Sequence, residues 1–382
     1  MARERILIFT NHFFPESFKV NDVAFYLQQD KYDVTVLTGI PNYPQGRFYK
    51  GYGILKRSRE IINGVKVIRV PLIPRGSGRG YRLVVNYISY FIFLIIWSFF
   101  IAISKRYNKI IVHHTSPIFL GIPAVLFKKI QRIPLFFWNL DLWPESIIAA
   151  SSFSNKFVIN FLDKIVKWIY RNSDKILISS YGFKNSIISK GISQEKIVYF
   201  PNWAEDVFTS NKSLYEVSLG ENIPSDKLKI MFAGNIGESQ DMESILSAIL
   251  LSHKQQLKIF WIFLGDGRKR KWIESKIKEN KLEDYAVFLG LQNLQTMPSF
   301  FNKADVMLLS LKDEKIFSIT VPAKLQAYMA SGKPILAMIN GEGSKIIKEA
   351  KCGFCCSCGD YTGLIHYVNK YLEMTKDERM EI

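Results

Sequence analysis

Short apolar runs alternate with helical stretches along nearly the whole chain, and that alternation leaves few folds open. Arg5–Phe9 reads as a strand and Val20–Gln29 as a helix, with Val20, Val23, Ala24 and Leu27 at helical spacing. Strands follow at Asp33–Thr38, Val65–Val70, Lys109–His113, Pro134–Trp138 and Lys175–Ser179, with helices near 118–130 and 156–171. After Ile197–Trp203 and a polar stretch over 209–227, a second series begins. It runs through strand Leu228–Ala233, a helix from Met242, strand Leu257–Leu264, a helix from Lys269, and strands Ala286–Leu289, Val306–Leu309 and Pro334–Ala337. Apolar strands separated by helices are buried on both faces, which calls for a parallel sheet covered by helices. Two such series predict an α/β protein of two doubly wound, Rossmann-like domains facing a central cleft, with the site at the strand C-terminal ends. The expected boundaries are 1–200 and 201–365, with a terminal helix over 366–382.

The net charge of +17 asks for an anionic partner, either nucleic acid, anionic lipid or a phosphorylated substrate. No helix-turn-helix pattern, zinc-finger spacing or aromatic RNA-binding signature is present, so no nucleic-acid partner is expected. The first residues, Met1 to Phe9, enter a strand at once and do not form a signal peptide, which places the chain in the cytoplasm. Cys352, Cys355, Cys356 and Cys358 are the four cysteines, on one short segment that cannot easily surround a metal ion. They are read as small buried hydrophobes on a turn and a short strand.

Leu83–Ser104 is almost devoid of polar residues and long enough to span a membrane. A single span would put strands of one sheet on opposite sides of the bilayer. The flanks are basic at both ends, Arg75, Arg79 and Arg82 before and Lys105, Arg106 and Lys109 after. Such flanks suit a helix lying in the cytoplasmic interface, peripheral or monotopic, and a wholly buried crossover helix is the alternative.

Residues 322–336 read as a helix start at Pro322, an amphipathic helix, a stop at Gly332-Lys-Pro334 and a buried strand. Lys324 falls in the first turn, where a cation is unfavourable unless an anion is also present. A helix N-terminus with a lysine can hold phosphate, and a solvated lysine on an ordinary helix is the other reading. Gly234-Asn-Ile-Gly237 and Gly265-Asp-Gly267 each follow a strand, where glycines let backbone amides approach a phosphate. Together the three segments suggest a nucleotide diphosphate. No P-loop motif and no Gly-x-Gly-x-x-Gly after the first strand occurs, which argues against an ordinary P-loop ATPase and a dinucleotide dehydrogenase. Asp141 and Glu145, after another strand, could orient a sugar hydroxyl or assist proton transfer, or simply cap the following helix. His113 and His114 end a strand without a third metal ligand and are read as polar cleft or packing groups.

Taken in order, Phe13-Phe-Pro-Glu-Ser17, Asp141-Leu-Trp-Pro-Glu-Ser146, Gly234-Asn-Ile-Gly237, Gly265-Asp-Gly267, Ala304-Asp-Val306 and Pro322-Ala-Lys-Leu325 resemble a family 4 retaining glycosyltransferase of the GT-B fold. The nearest group is the WbuB-like enzymes of O-antigen and capsule synthesis, similar to N-acetyl-L-fucosamine transferases. The resemblance covers essentially the whole chain. It implies a UDP-sugar donor, an undecaprenyl-diphosphate-linked sugar acceptor, a site on the cytoplasmic face of the membrane, and no metal or cofactor. Carried onto this chain, it implies Asp141, Glu145 and Lys324 as catalytic residues. Donor contacts would come from Gly234, Asn235, Gly237, Gly265, Asp266, Gly267, Arg268, Thr320, Pro322, Ala323, Lys324 and Gln326. Acceptor contacts would come from Glu16, Ser17, His114 and Trp143.

Two departures stand out. The family's pair of glutamates would fall at Ile319 and Ala327, so the ribose needs another contact. Its diphosphate-gripping Arg and Lys would fall at Asn235 and Gln240, which leaves Lys324 as the main cation. The sequence stops within its final helix at Lys376 to Ile382, where family members usually continue, so it is expected to be truncated. A GT-B nucleotide-sugar epimerase would need no lipid, and the apolar segment speaks against it. An inactive membrane-bound scaffold is the non-enzyme alternative, and the missing glutamates are what favours it.

Overall fold

Ile6, Leu7, Ile8 and Phe9 are all buried, which requires a strand covered on both faces. In the computed structural model, which describes residues 3–76, 80–150, 155–209, 215–220 and 223–382, this run is β1 (Glu4–Thr10). The chain divides into two units, Met1–Pro201 and Asn202–Ile382. The first carries β1, β2 (Tyr32–Gly39), β3 (Arg59–Ile62), β4 (Val65–Val70), β5 (Lys109–His114), β6 (Leu135–Asn139), β7 (Lys175–Ile178) and β8 (Ile197–Tyr199). They form an eight-stranded sheet in the order β3-β4-β2-β1-β5-β6-β7-β8, parallel except where β3 pairs with β4. The sequence reading missed β3 because Arg59-Glu-Ile-Ile62 is short, half charged and on the sheet edge, so it lacks a buried apolar run.

The second unit carries β9 (Leu228–Ala233), β10 (Ile259–Leu264), β11 (Ala286–Gly290), β12 (Val306–Ser310), β13 (Ile335–Met338) and β14 (Gly353–Cys356). They form a parallel sheet in the order β11-β10-β9-β12-β13-β14. One face packs Phe232, Trp261, Ile245, Ile273, Leu364 and Val368 together, and the other packs Met231, Phe260, Phe301, Met307 and Tyr328. The stretch expected as one terminal helix over 366–382 is instead Tyr361–Glu373 followed by Lys376–Met380. The first of these belongs to the core of the second unit through Leu364, Ile365, Val368 and Tyr371. The four cysteines are half-buried rather than fully buried, because β14 is an edge strand with one flank open.

Helix Gly80–Ser104 is amphipathic in an inverted sense. Asn86, Ser89, Tyr90 and Ser98 face inward with Leu94 and Ile101. The Asn86 amide donates to the Ile73 carbonyl at 2.6 Å, Ser89 Oγ accepts the Ile73 N–H at 3.0 Å, and the Tyr90 hydroxyl donates to the Thr10 carbonyl at 2.7 Å. Val84, Ile88, Ile92, Ile96, Phe99 and Ile103 are exposed in a stripe, continued by Leu126 and Ile130 of helix Gly121–Gln131. Only 28% of its most apolar window is buried, so it is not a core helix.

Tyr328 is fully buried, and its hydroxyl accepts the Ala233 N–H at 2.8 Å and donates to the Ala233 carbonyl at 3.0 Å. That pair pins helix Ala323–Ala330 to the end of β9. Tyr328→Phe leaves the Ala233 amide buried without its partner. The expected loss is about 1–3 kcal/mol of stability, read as a lower midpoint of chemical unfolding, and an unchanged midpoint refutes it.

Candidate functional site

In each sheet the strand order reverses at one place, between β1 and β5 and between β9 and β12, and loops leaving the strand C-terminal ends part there. In the second unit the loop after β9 and the loop after β10 nest into each other. Gly234 and Gly265 have φ of +132° and +127°, and a Cβ on Gly265 would fall 1.9 Å from the Gly234 carbonyl oxygen, so only glycine fits. A Cβ on Gly267 would fall 2.3 Å from the Ile236 carbonyl oxygen and 2.7 Å from Asn235 Oδ1. The glycines therefore build the loop pair. The Gly234 and Gly265 amides donate to Leu264 and Gly290 carbonyls at 2.9 and 2.8 Å, so they are not available to an anion, contrary to the expected cradle. The Asn235 and Gly237 amides have no hydrogen-bond partner among the described residues.

Lys324 lies over this loop pair, with a Cβ on Gly234 reaching 3.5 Å from its Nζ. Its Nζ donates to Gln240 Oε1 at 2.5 Å and sits 3.9 Å from the centre of the Phe232 ring. The residue is half-buried, but its ammonium end is enclosed and meets no carboxylate among the described residues, and burial lowers its pKa to about 7. An enclosed cation held only by an amide oxygen and a ring face is an incomplete ion pair that an anion completes.

The other expected donor contacts separate into two groups. Asn235, Asp266 and Arg268 are exposed on the two loops, and Arg268 has no ion pair among the described residues. Pro322 caps the helix, which starts at Ala323 rather than at Pro322 itself. Thr320 is spent locally, since its hydroxyl donates to the Ile316 carbonyl at 2.7 Å. The Gln326 amide folds back against the carbonyls of Pro322 and Ala323. Gln240, Phe232 and Tyr328 were not expected. Tyr328 could have been found as the residue one helical turn beyond Lys324 on the same face.

In the first unit Asp141 is largely buried. Its carboxylate accepts from Ser146 Oγ and from Trp143 Nε1 at 3.3 Å, and no cation among the described residues pairs with it. Burial raises its pKa to about 6 against the lowering effect of these hydrogen bonds. Glu145 is anchored by Lys190 Nζ at 2.9 Å and Ser186 Oγ at 2.7 Å, which makes it a tie to helix Phe183–Ser189 rather than a free catalytic carboxylate.

Three expected acceptor contacts prove to be structural. Glu16 is buried, with Oε1 accepting the Asn42 and Tyr43 amides at 2.7 and 2.6 Å and Oε2 bonded to His12 Nδ1 at 2.7 Å. His114 is fully buried and its Nδ1 lies 3.1 Å from Asn139 Oδ1. Burial lowers the pKa of His114 to about 4 and that of His113 to about 3, which keeps both neutral. Trp143 is buried, and its indole props the Asp141 carboxylate. Ser17 is exposed. Sequence position alone could not reveal these roles, because each depends on partners brought in from other loops.

Two doubly wound sheets, the second parallel throughout with glycine loops and Lys324 at its edge, define the GT-B fold. Comparison with known proteins sharpens this. Residues 19–203 match the "Glycosyl transferase 4-like domain" family and residues 218–382 match "Glycosyl transferases group 1". The chain is 27% identical over 284 residues to the probable glycosyltransferase WbjE of Pseudomonas aeruginosa, covering 70% of this chain and 67% of the relative. It is 23% identical over 341 residues to the putative colanic acid biosynthesis glycosyl transferase WcaI of Escherichia coli, covering 86% and 81%. In fold it matches Anabaena HepE, solved in complex with UDP, with TM-score 0.69 at 13% identity over 98% and 91% of the two chains. Sucrose-phosphate synthase of Thermosynechococcus elongatus gives TM-score 0.69 at 15% identity over 97% and 90%. The protein is a glycosyltransferase of GT-B type, related to family 4 enzymes of cell-surface polysaccharide biosynthesis.

Lys324 generates a pH prediction. Its folded pKa of about 7 lies below the unfolded 10.5, so the unfolded chain binds more protons in between and stability rises with pH over that window. A bound diphosphate reverses the preference by favouring the charged lysine. UDP binding at about pH 8 is therefore expected to take up protons, seen calorimetrically as a heat that varies with the ionisation enthalpy of the buffer. Lys324→Met should abolish the uptake, and a buffer-independent heat in the native protein refutes it.

Proposed function

We propose that this protein is a retaining glycosyltransferase that moves N-acetyl-L-fucosamine from a UDP-sugar to a sugar carried on undecaprenyl diphosphate, at the cytoplasmic face of the membrane, in O-antigen or capsule synthesis. The observation that carries the donor half is the Lys324 ammonium, enclosed beside Gly234 without a carboxylate. In the proposed reaction the bond from the anomeric carbon to the diphosphate breaks with charge flowing onto the departing UDP. The acceptor oxygen forms the new bond on the same face, and its proton leaves to a phosphate oxygen. Lys324 and the amides of Asn235 and Gly237 meet the growing negative charge, which is where preorganised donors lower a barrier most. The UDP held by HepE supports the nucleotide, and the colanic acid role in the name of WcaI supports the polysaccharide context.

The inverted helix supports the membrane half. Polar side chains facing protein and an apolar stripe facing outward is the arrangement lipid favours over water. Incubating a panel of UDP-sugars with lipid-diphosphate-sugar acceptors, with product mass and anomeric configuration read out, tests the whole reading. No transfer from any donor, or an inverted product, refutes it.

Two variants test its halves. Asp141→Asn is expected to keep UDP affinity and to lower kcat/KM by about a hundredfold. The native enzyme should lose activity below about pH 6, as Asp141 takes up its proton, and the variant should lack that acid limb. Ile88, Ile92, Ile96 and Phe99 replaced together by serine should leave the fold intact and release the protein from anionic vesicles, because each exposed side chain contributes burial only in lipid. A variant that misfolds, or that still sediments with vesicles, counts against membrane contact.

A further inference from the structure

The loop after β2 and the segment after β4 meet beside the start of helix Gly80–Ser104. Glu16 fixes the first by accepting the Asn42 and Tyr43 amides, and Asn42 Oδ1 accepts the Arg75 N–H at 3.2 Å. The Arg75 guanidinium lies 5.0 Å from the centre of the Tyr43 ring. It has no ion pair and no side-chain hydrogen bond among the described residues, so all five of its N–H donors are uncommitted. Tyr43 is 40% exposed and is braced from behind by His12 and Phe18, with ring centroids 5.3 and 5.6 Å away. Tyr87 reaches the same place from the helix. Its hydroxyl has no partner among the described residues, burial raises its pKa, and the charges of Arg75 and Asp141 both act on it. A cavity of about 340 Å³, lined by Gly46, Ile73, Gly76, Tyr81, Arg82 and Val85, adjoins this patch at the end of the helix where the outward apolar stripe begins.

We infer that this patch binds the head of the lipid-linked acceptor, with the free donors of Arg75 taking the diphosphate and the Tyr43 and Tyr87 phenols lining the place of the first sugar. The inference rests on the lipid-diphosphate acceptor proposed above and assigns its site. A guanidinium stacked on a ring is held in one plane with its fork open, the geometry that phosphate oxygens accept in pairs. The Tyr43 phenol, 40% exposed, and the Tyr87 hydroxyl beside it can exchange hydrogen bonds with a sugar. A lipid tail anchored along Val84, Ile88 and Ile92 would bring its diphosphate to this height. Glu16, expected from the sequence as an acceptor contact, lies behind this surface and holds its loop in shape.

Farnesyl diphosphate is the probe, farnesol its uncharged control, and the full chain in detergent is titrated with each. The native protein is expected to bind farnesyl diphosphate well above farnesol. Arg75→Gln should weaken farnesyl diphosphate by tenfold or more, the loss of a charge-assisted hydrogen-bond pair, and Arg75→Lys should restore only part of it. Tyr43→Ala, which keeps the charge and removes the phenol, should weaken transfer to a sugar-bearing acceptor through KM more than through kcat. UDP affinity reports an intact second unit, and circular dichroism an intact fold. Sedimentation with phosphatidylglycerol vesicles should be the same for the native protein and Arg75→Gln. Farnesyl diphosphate binding that ignores Arg75 overturns the assignment. So does a parallel loss of vesicle binding, which would give Arg75 to bilayer headgroups. Arg75-dependent binding without sugar transfer to any lipid acceptor would keep the site and remove the proposed function. Transfer that is indifferent to Arg75 would do the reverse.

Discussion

Parallel strand pairing is the constraint on which the rest depends. When every strand of a sheet runs the same way, every loop leaving a C-terminal end arrives at one edge, however far apart the loops lie in sequence. In the second unit this brings Gly234, Gly265 and Lys324 together from three connections. The glycines have a packing reason first. The two loops touch backbone to backbone, with Lys324 lying over them.

Charge pairing separates the polar residues that shape this protein from those left over for chemistry. Arg69 is buried against Glu60 at 2.6 Å and donates to the Phe14 carbonyl at 2.6 Å, so it holds the loop after β1. Lys190 bridges Glu145 and Asp163 at 2.9 and 3.0 Å. These ions have partners of opposite charge. Lys324, Arg75 and Asp141 are different. Each is at least half-buried, each lacks an opposite charge, and each sits at the C-terminal edge of its own sheet. Desolvating a charge without a partner is costly, and the cost is recovered when a ligand supplies the missing group.

The apolar helix follows a related logic turned outward. Asn86, Ser89 and Tyr90 satisfy the backbone of Ile73 and Thr10 from within, so the helix is tied to the first unit by hydrogen bonds. Its aliphatic side chains are left on the other side. A helix this apolar in the core of a soluble protein would have those side chains covered, and here most are not.

The order of strands and helices was legible in the sequence, because periodicity is written within a few residues of itself. Val65–Val70 and Leu228–Ala233 were placed to the residue on that basis alone. That Lys324 is out of place was legible too, since a cation in a first helical turn is locally unfavourable. What the lysine touches was not. Gln240 lies 84 positions away, and at its position the chain shows only the loss of an expected basic residue. Glu16, His114 and Trp143 looked like ligand contacts because they are polar or aromatic and follow strands. The tertiary structure buried them instead, and brought forward Arg75 and Tyr87, which carry no motif. Local sequence determines which way the backbone runs and which faces are apolar. Whether a polar group ends up paired, buried or waiting for a ligand depends on partners from distant segments, and only folding decides who they are.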